Sequence, residues 1–121
     1  MSDVPQPYFR ETVWSQWIAE ELGARSEQAT LFRSRCDIVT LKYAIEVEWS
    51  SKWKEAIGQA GLYSVALARK PAVLLLVNDR EKEQLNIGRC AAVCGKFDIL
   101  FTWIDCHNPE DKIPELFDTL N

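Results

Sequence analysis

Two glutamates two residues apart on a strand-like run are the residues in this sequence most suited to chemistry. Tyr43-Ala44-Ile45-Glu46-Val47-Glu48-Trp49 alternates strictly. Tyr43, Ile45, Val47 and Trp49 therefore fall on one face of a strand, and Ala44, Glu46, Glu48 and Ser50 on the other. Like charges at i and i+2 lie about 6.5 to 7 Å apart and repel. A strand that only needed a solvated face would more usually mix Lys, Thr and Ser there, whereas paired acids make physical sense around a cation or a proton. Arg35 to Leu41 reads as a second short strand, and a tight connection at Leu41-Lys42 makes the two a hairpin. In the two-residue-loop register, residue 40 faces 43 and Asp37 faces Glu46, so three carboxylates converge on one patch. Leu-Lys lacks the Gly, Asn or Asp that such loops favour, so a longer loop with a shifted register is the competing arrangement.

Carboxylates are the ligands of hard divalent cations, and such cations make phosphodiester hydrolysis accessible near neutral pH. Asp37 and Glu46, helped by a backbone carbonyl near Val47, suit Mg²⁺ or Mn²⁺, and Glu48 adds a ligand or a general base. The elements that must position them follow at once. Ser50 to Ala68 reads as a helix with a core face of Trp53, Ala56, Ile57, Ala60, Ser64 and Leu67. Lys52, Glu55, Gln59 and Tyr63 form a neighbouring stripe, and Lys52 and Gln59 lie two turns apart along it. That stripe would hold an ammonium and an amide beside the acids. Taken singly, Gln59 and Tyr63 are more often a surface amide and a half-buried ring.

The chain has 121 residues, 47% hydrophobic and 11% aromatic, which suits a single domain over 1–121 with residues 1–7 as a loose arm. No apolar run reaches a membrane span and the N-terminus lacks a signal-peptide pattern, so a cytoplasmic protein with no membrane partner is expected. Cys36, Cys90, Cys94 and Cys106 are then expected as reduced core residues. A zinc site from Cys90, Cys94, Cys106 and His107 is the sharper alternative, at a spacing unlike that of a ribbon or finger. A formal net charge of −4 excludes bulk electrostatic coating of nucleic acid but not local contact with phosphate.

In chain order, Phe9, Val13, Trp14, Trp17, Ile18 and Leu22 predict a helix from Tyr8 to Leu22 closed by Gly23, with Glu11 bordering its buried stripe. Glu11 also reads as an ordinary first-turn acid favoured by the helix dipole. Gln28 to Phe32 suits a first strand, and the basic pair Arg33 and Arg35 balances the acids or contacts a phosphate. Ala72 to Val77 has the pattern of a central strand covered on both faces. Glu81 to Lys96 suits a helix that Asn86-Ile87-Gly88 could interrupt, Phe97 to Ile104 a last buried strand, and Ile113 to Leu120 a closing helix. Together these elements predict an α/β three-layer sandwich with a central mixed sheet flanked by helices.

The order and spacing of these motifs over residues 8 to 104 resemble the PD-(D/E)XK nuclease superfamily, which includes Holliday-junction resolvases, restriction enzymes and RecB-like nucleases. The resemblance implies a restriction-endonuclease-like core of helix, three-stranded meander, helix and strand. Asp37 matches the superfamily's acid on the second strand and Glu46 the acid on the third. Gln59-x-x-x-Tyr63 is similar to the Gln-x-x-x-Tyr motif of the RecB-like branch, and Glu11 is similar to the first-helix glutamate of archaeal resolvases. It implies a DNA-cleaving enzyme in which Glu11, Asp37 and Glu46 hold Mg²⁺ or Mn²⁺, and Tyr63 and Arg35 meet the nucleic acid. The lysine of the superfamily's Glu-x-Lys is Glu48 here. Some restriction enzymes carry glutamate at that position, in other members the lysine has migrated, and Lys52 is the preferred substitute. The alternative is an inactive module of the same fold that binds DNA or a protein partner; a plain α/β domain with surface acids is a third reading. Two-fold duplex geometry invites a homodimer.

Overall fold

The computed structural model describes residues 3–30 and 35–121. The pattern of a meander followed by two crossovers appears as five strands in one sheet: β1 (Arg25–Ala29), β2 (Arg35–Val39), β3 (Tyr43–Trp49), β4 (Lys70–Val77) and β5 (Leu100–Asp105), ordered as in the chain. β1, β2 and β3 are antiparallel, and β3, β4 and β5 are parallel. Each parallel step is made through a helix, α2 (Trp53–Leu67) and then α3 (Gln84–Lys96). α1 (Glu11–Leu22) and α4 (Ile113–Leu120) cover the opposite face, which completes the expected three-layer α/β sandwich.

β4 is the centre of the packing because both its faces are apolar. Ala72, Leu74 and Leu76 pack with Trp14, Ile18, Leu116 and Leu120 of α1 and α4. Val73, Leu75 and Val77 pack with Ala56 and Ala60 of α2 and with Cys90 and Cys94 of α3. Small residues on α2 let that helix lie close to the sheet, and full burial of one large aliphatic side chain contributes about 1.5–3 kcal/mol. Among the described residues, no helix is long and apolar enough to cross a membrane.

The hairpin has the two-residue loop, with Val39 opposite Ala44 and Ile38 opposite Ile45. Its turn works without Gly because neither Leu41 nor Lys42 has a positive φ. The Thr40 Oγ1 accepts the Lys42 and Tyr43 amides at 3.3 and 3.0 Å, so a hydroxyl does locally what turn stereochemistry does elsewhere. The Thr40 amide donates to the Tyr43 carbonyl at 3.0 Å.

Other boundaries moved for identifiable reasons. α1 starts at Glu11, not Tyr8, and Phe9 and Val13 are 38% and 40% exposed, so the buried stripe begins at Trp14. Gly23 at φ 64 closes it, as expected. The first strand is Arg25–Ala29, three residues earlier than the expected Gln28 to Phe32. Leu31, Phe32, Arg33 and Ser34 lie outside the described residues. β4 begins at Lys70 and takes in Pro71 near its first residue, where a missing amide costs least. α3 begins at Gln84, runs through Asn86-Ile87-Gly88 uninterrupted, and is preceded by a turn held by Glu83. β5 starts at Leu100 because the chain turns at Asp98, φ 57, leaving Phe97 exposed.

Candidate functional site

The site lies where β2 and β3 part company. Their ladder runs from the turn to Ile38↔Ile45. One step further, the Asp37 Oδ2 accepts the Val47 amide at 2.8 Å. A carboxylate thus takes a place that a strand carbonyl would fill in a regular ladder, and the side chain is fixed beside β3. Directly across, Glu46 shares a sheet face with Ala44 and Glu48 and is only 6% exposed. Its Oε2 is buried and has no hydrogen-bond partner among the described residues. Leaving a buried carboxyl oxygen unpaired costs about 1–3 kcal/mol, more if it is charged.

Burial and neighbouring charge set the ionisation of the cluster. Burial, then the Asp37 charge, with smaller contributions from Glu48 and Glu11, pushes the Glu46 carboxyl up to about 10. Burial raises Glu48 to about 8; proton sharing with Glu11 adds to this, while the Trp49 amide and the Lys52 charge oppose it. The Trp49 amide donates to Glu48 Oε1 at 2.9 Å. Asp37 is raised by burial to about 6, held back by the Val47 amide and by Glu46, and pushed further by Glu27 and Glu11. Tyr63 is buried, its hydroxyl raised by desolvation and by Glu46 and Asp37. Near pH 7 the cluster therefore keeps protons on Glu46 and mostly on Glu48, and leaves charge on Asp37. Those protons do the neutralising work that a cation could do.

Of the residues expected in the site, Glu11, Asp37, Glu46, Glu48 and Tyr63 are close enough to act on one another's ionisation. Lys52 ends the 3₁₀ turn Ser50–Lys52, exposed, with its charge acting on Glu48. Gln59 is exposed on α2, one turn before Tyr63, and makes no hydrogen bond with the acids among the described residues. Arg35 is exposed at the start of β2, opposite Ala29 and two residues from Asp37, and makes no ion pair with the cluster among the described residues. Tyr63 sits deeper than its place beside the core stripe implied, 6% exposed and packed with Cys36, Val39 and Ala44.

One residue was missed. Glu27 acts on Asp37 from β1, and the β1–β2 register places it opposite Asp37. Arg25-Ser26-Glu27-Gln28-Ala29 has no apolar alternation to mark a strand, so periodicity could not find it; an acid two residues into a polar run after a helix-closing Gly was the only signal.

Hard oxygen donors around a buried, unpartnered carboxyl oxygen fit Mg²⁺ or Mn²⁺ in chemistry. Among the described residues, no three His, Cys, Asp or Glu side chains are already gathered so as to hold a metal ion. The alternative cysteine–histidine quartet does not form: Cys90 and Cys94 pack on the α2–α3 side, Cys106 on the α1–α4 side, and His107 is exposed. Cys90 and Cys94, 3.9 Å apart at their sulfurs, are core residues, as expected of reduced thiols.

No protein-family model matches the chain, and no solved structure matches it. Over 69 residues, 57% of its length, the chain is 35% identical to a KilA-N domain-containing protein of Acanthamoeba polyphaga mimivirus, and it spans 18% of that protein.

Proposed function

We propose that this protein is a metal-dependent nuclease that hydrolyses DNA phosphodiester bonds at the Asp37, Glu46 and Glu48 cluster. One observation carries the reading: Glu46 is almost completely buried, with an unpartnered oxygen, among three further acids and a tyrosine at the point where two strands separate. A folded chain holds carboxyl groups together in this way at a cost in stability, and such sites are where chemistry is found. The element order supports the reading as well, with the acids on the second and third strands of a meander and the helix bearing Gln59 and Tyr63 next in the chain. The similarity to a mimiviral KilA-N domain-containing protein is compatible with a DNA partner and does not by itself select one.

A bound Mg²⁺ or Mn²⁺ would neutralise charge on the scissile phosphate and make water more acidic. Asp37, Glu46 and Glu11 would hold it. Glu48, raised to about 8 without a cation, would give up its proton once a cation is bound and could then accept the proton of the attacking water. Lys52, free in solvent beside Glu48, offers its ammonium to a phosphate oxygen. Gln59 orients an oxygen, Tyr63 buttresses Glu46, and Arg35 meets the backbone of the nucleic acid.

Glu48 at the lysine position favours one rival, a module of the same fold that binds DNA or a protein without cleaving it. A cleavage assay on linear, circular, single-stranded and branched DNA with Mg²⁺, Mn²⁺ or EDTA separates the two. Cation-dependent cleavage lost in Asp37→Asn supports the nuclease; cation-independent binding without cleavage, unaffected by Glu46→Ala, establishes the rival.

A further inference from the structure

We infer that β5 is an interface between two copies of this chain: two β5 strands pair antiparallel about a two-fold axis at Thr102 and join two sheets into one. The inference does not rest on the nuclease reading, and either can fail without the other. It begins from a difference between the two edges of the sheet. β1 and β5 are its outermost strands, each with one strand neighbour among the described residues. β1, Arg25-Ser26-Glu27-Gln28-Ala29, is polar along most of its length and turns left-handed at Glu27, φ 55. Charge and a local kink are the devices by which an edge avoids pairing with other chains. β5, Leu100-Phe101-Thr102-Trp103-Ile104-Asp105, has no Pro, Gly or Lys, no left-handed residue, and a charge only at its last position. Phe101, Thr102 and Trp103 are half-buried, and Phe97, just before the strand, is 66% exposed.

Which backbone groups of β5 are open follows from its pairing with β4. The Cys106 amide donates to the Val77 carbonyl at 2.9 Å, in a register running from Ala72↔Leu100 to Val77↔Asp105, so the even-numbered residues address β4. The amides and carbonyls of Phe101, Trp103 and Asp105 therefore point away from it, and an antiparallel second copy must set such residues against one another. With Thr102 on the axis, Phe101 faces Trp103 of the second copy, and Trp103 faces its Phe101, each pair exchanging two hydrogen bonds. The side chains then match on both faces. Phe101 and Trp103, on the α2–α3 side, form two aromatic pairs across the junction. On the α1–α4 side Leu100 faces Ile104, and between them Thr102 faces Thr102. Aromatic pairs and Thr–Thr pairs are favoured cross-strand combinations. Moving the axis to Trp103 would instead set Phe101 against Asp105, so the sequence favours the Thr102 register. A strand that complements itself in this way fits a second copy, whose contact repeats by symmetry.

The test is sedimentation equilibrium on the full 121-residue chain, on Thr102→Lys, on Thr102→Glu and on an equimolar mixture of the two variants, with circular dichroism to check the fold. On the axis a charge meets its own copy, and like charges directly opposite destabilise strand pairing. We expect a native dimer, a dissociation constant at least tenfold weaker for either variant alone, and recovery in the mixture, where Lys meets Glu. A general loss of stability would not produce that recovery. A native chain that stays monomeric up to its solubility limit overturns the inference and leaves the edge to an extended segment of some other protein. A dimer that neither substitution weakens places the interface elsewhere and overturns it too. If the charged variants lose their native circular dichroism, Thr102→Cys decides. Side chains facing each other in a non-hydrogen-bonded pair approach most closely, so air oxidation should link this variant into a covalent dimer, while the four native cysteines are buried. Linking no faster than in Glu110→Cys, an exposed position off the sheet, overturns the inference.

Discussion

Glu46, in the middle of β3, and Glu83, the residue before α3, are both acids that hold or border the sheet, and their surroundings are opposites. Glu83 sits at the β4–α3 junction, where its carboxylate accepts from the Ser50 hydroxyl and from the Asn78 and Asp79 amides. Three donors share that carboxylate, and they tie the end of β4 and the turn before α3 together. Glu46 sits at the β2–β3 opening beside further acids, with one oxygen bare. One carboxylate is a fastener that completes hydrogen bonding. The other is a buried carboxyl kept protonated by its surroundings, with one oxygen left without a partner among the described residues.

The sharpest way to break this contrast is Asp37→Asn, which keeps the shape and removes charge from the opening. We expect DNA cleavage with Mg²⁺ to fall by at least ~100-fold, the scale of losing a group that acts in the transition state; a gel assay with unchanged circular dichroism checks it. Cleavage within a factor of three of the native rate would return Asp37 to the same class as Glu83.

The second test is pH. The Glu46 and Glu48 carboxyls are raised to about 10 and about 8 in the folded protein, against 4.5 for an ordinary glutamate. Above pH 4.5 the unfolded chain has released protons that the native state still holds, so the slope of unfolding free energy with pH is negative. Their contribution is fully present below pH 4.5 and is lost as pH rises through about 8 and then about 10. Urea unfolding of the metal-free protein at pH 5, 7 and 9 should show stability falling from each pH to the next. Glu46→Gln should flatten that slope, whereas Glu83→Gln should leave it in place.

Glu83→Ala tests the other side of the comparison. It removes the acceptor of two amides and a hydroxyl and should cost about 1–3 kcal/mol in urea unfolding. Mn²⁺ binding by the folded fraction should be unchanged. The smallest effect expected is at the hairpin tip, where Thr40→Ala removes the acceptor of two part-buried amides and should cost about 1 kcal/mol. A loss above 3 kcal/mol there would mean that the turn, and not the sheet, fixes the register that brings Asp37 to Glu46.

Much of this was legible in the chain. Alternation from Tyr43 to Trp49 gave the face carrying Glu46 and Glu48, because side-chain direction along a strand is set by backbone geometry alone. Counting through a two-residue loop placed Asp37 opposite Glu46. The apolar run Ala72 to Val77 gave the strand buried on both faces. Glu27 was not legible, since a five-residue polar strand has no period to reveal it and is held by its neighbour's hydrogen bonds. The start of α3 was misplaced for a similar reason: Glu81 and Lys82 suit a helix, but Glu83 spends its carboxylate on the preceding turn.

The sequence by itself determined the layers of this protein and the identity of the acids on β2 and β3, because both follow from local periodicity and short-range counting. Only the tertiary structure decided how deeply Glu46 is buried, that its oxygen has no partner among the described residues, and that the charges of Glu27 and Glu11 act on Asp37. Those depend on which distant segments exclude water from a side chain, and solvent exclusion is a property of the packed sheet and helices together.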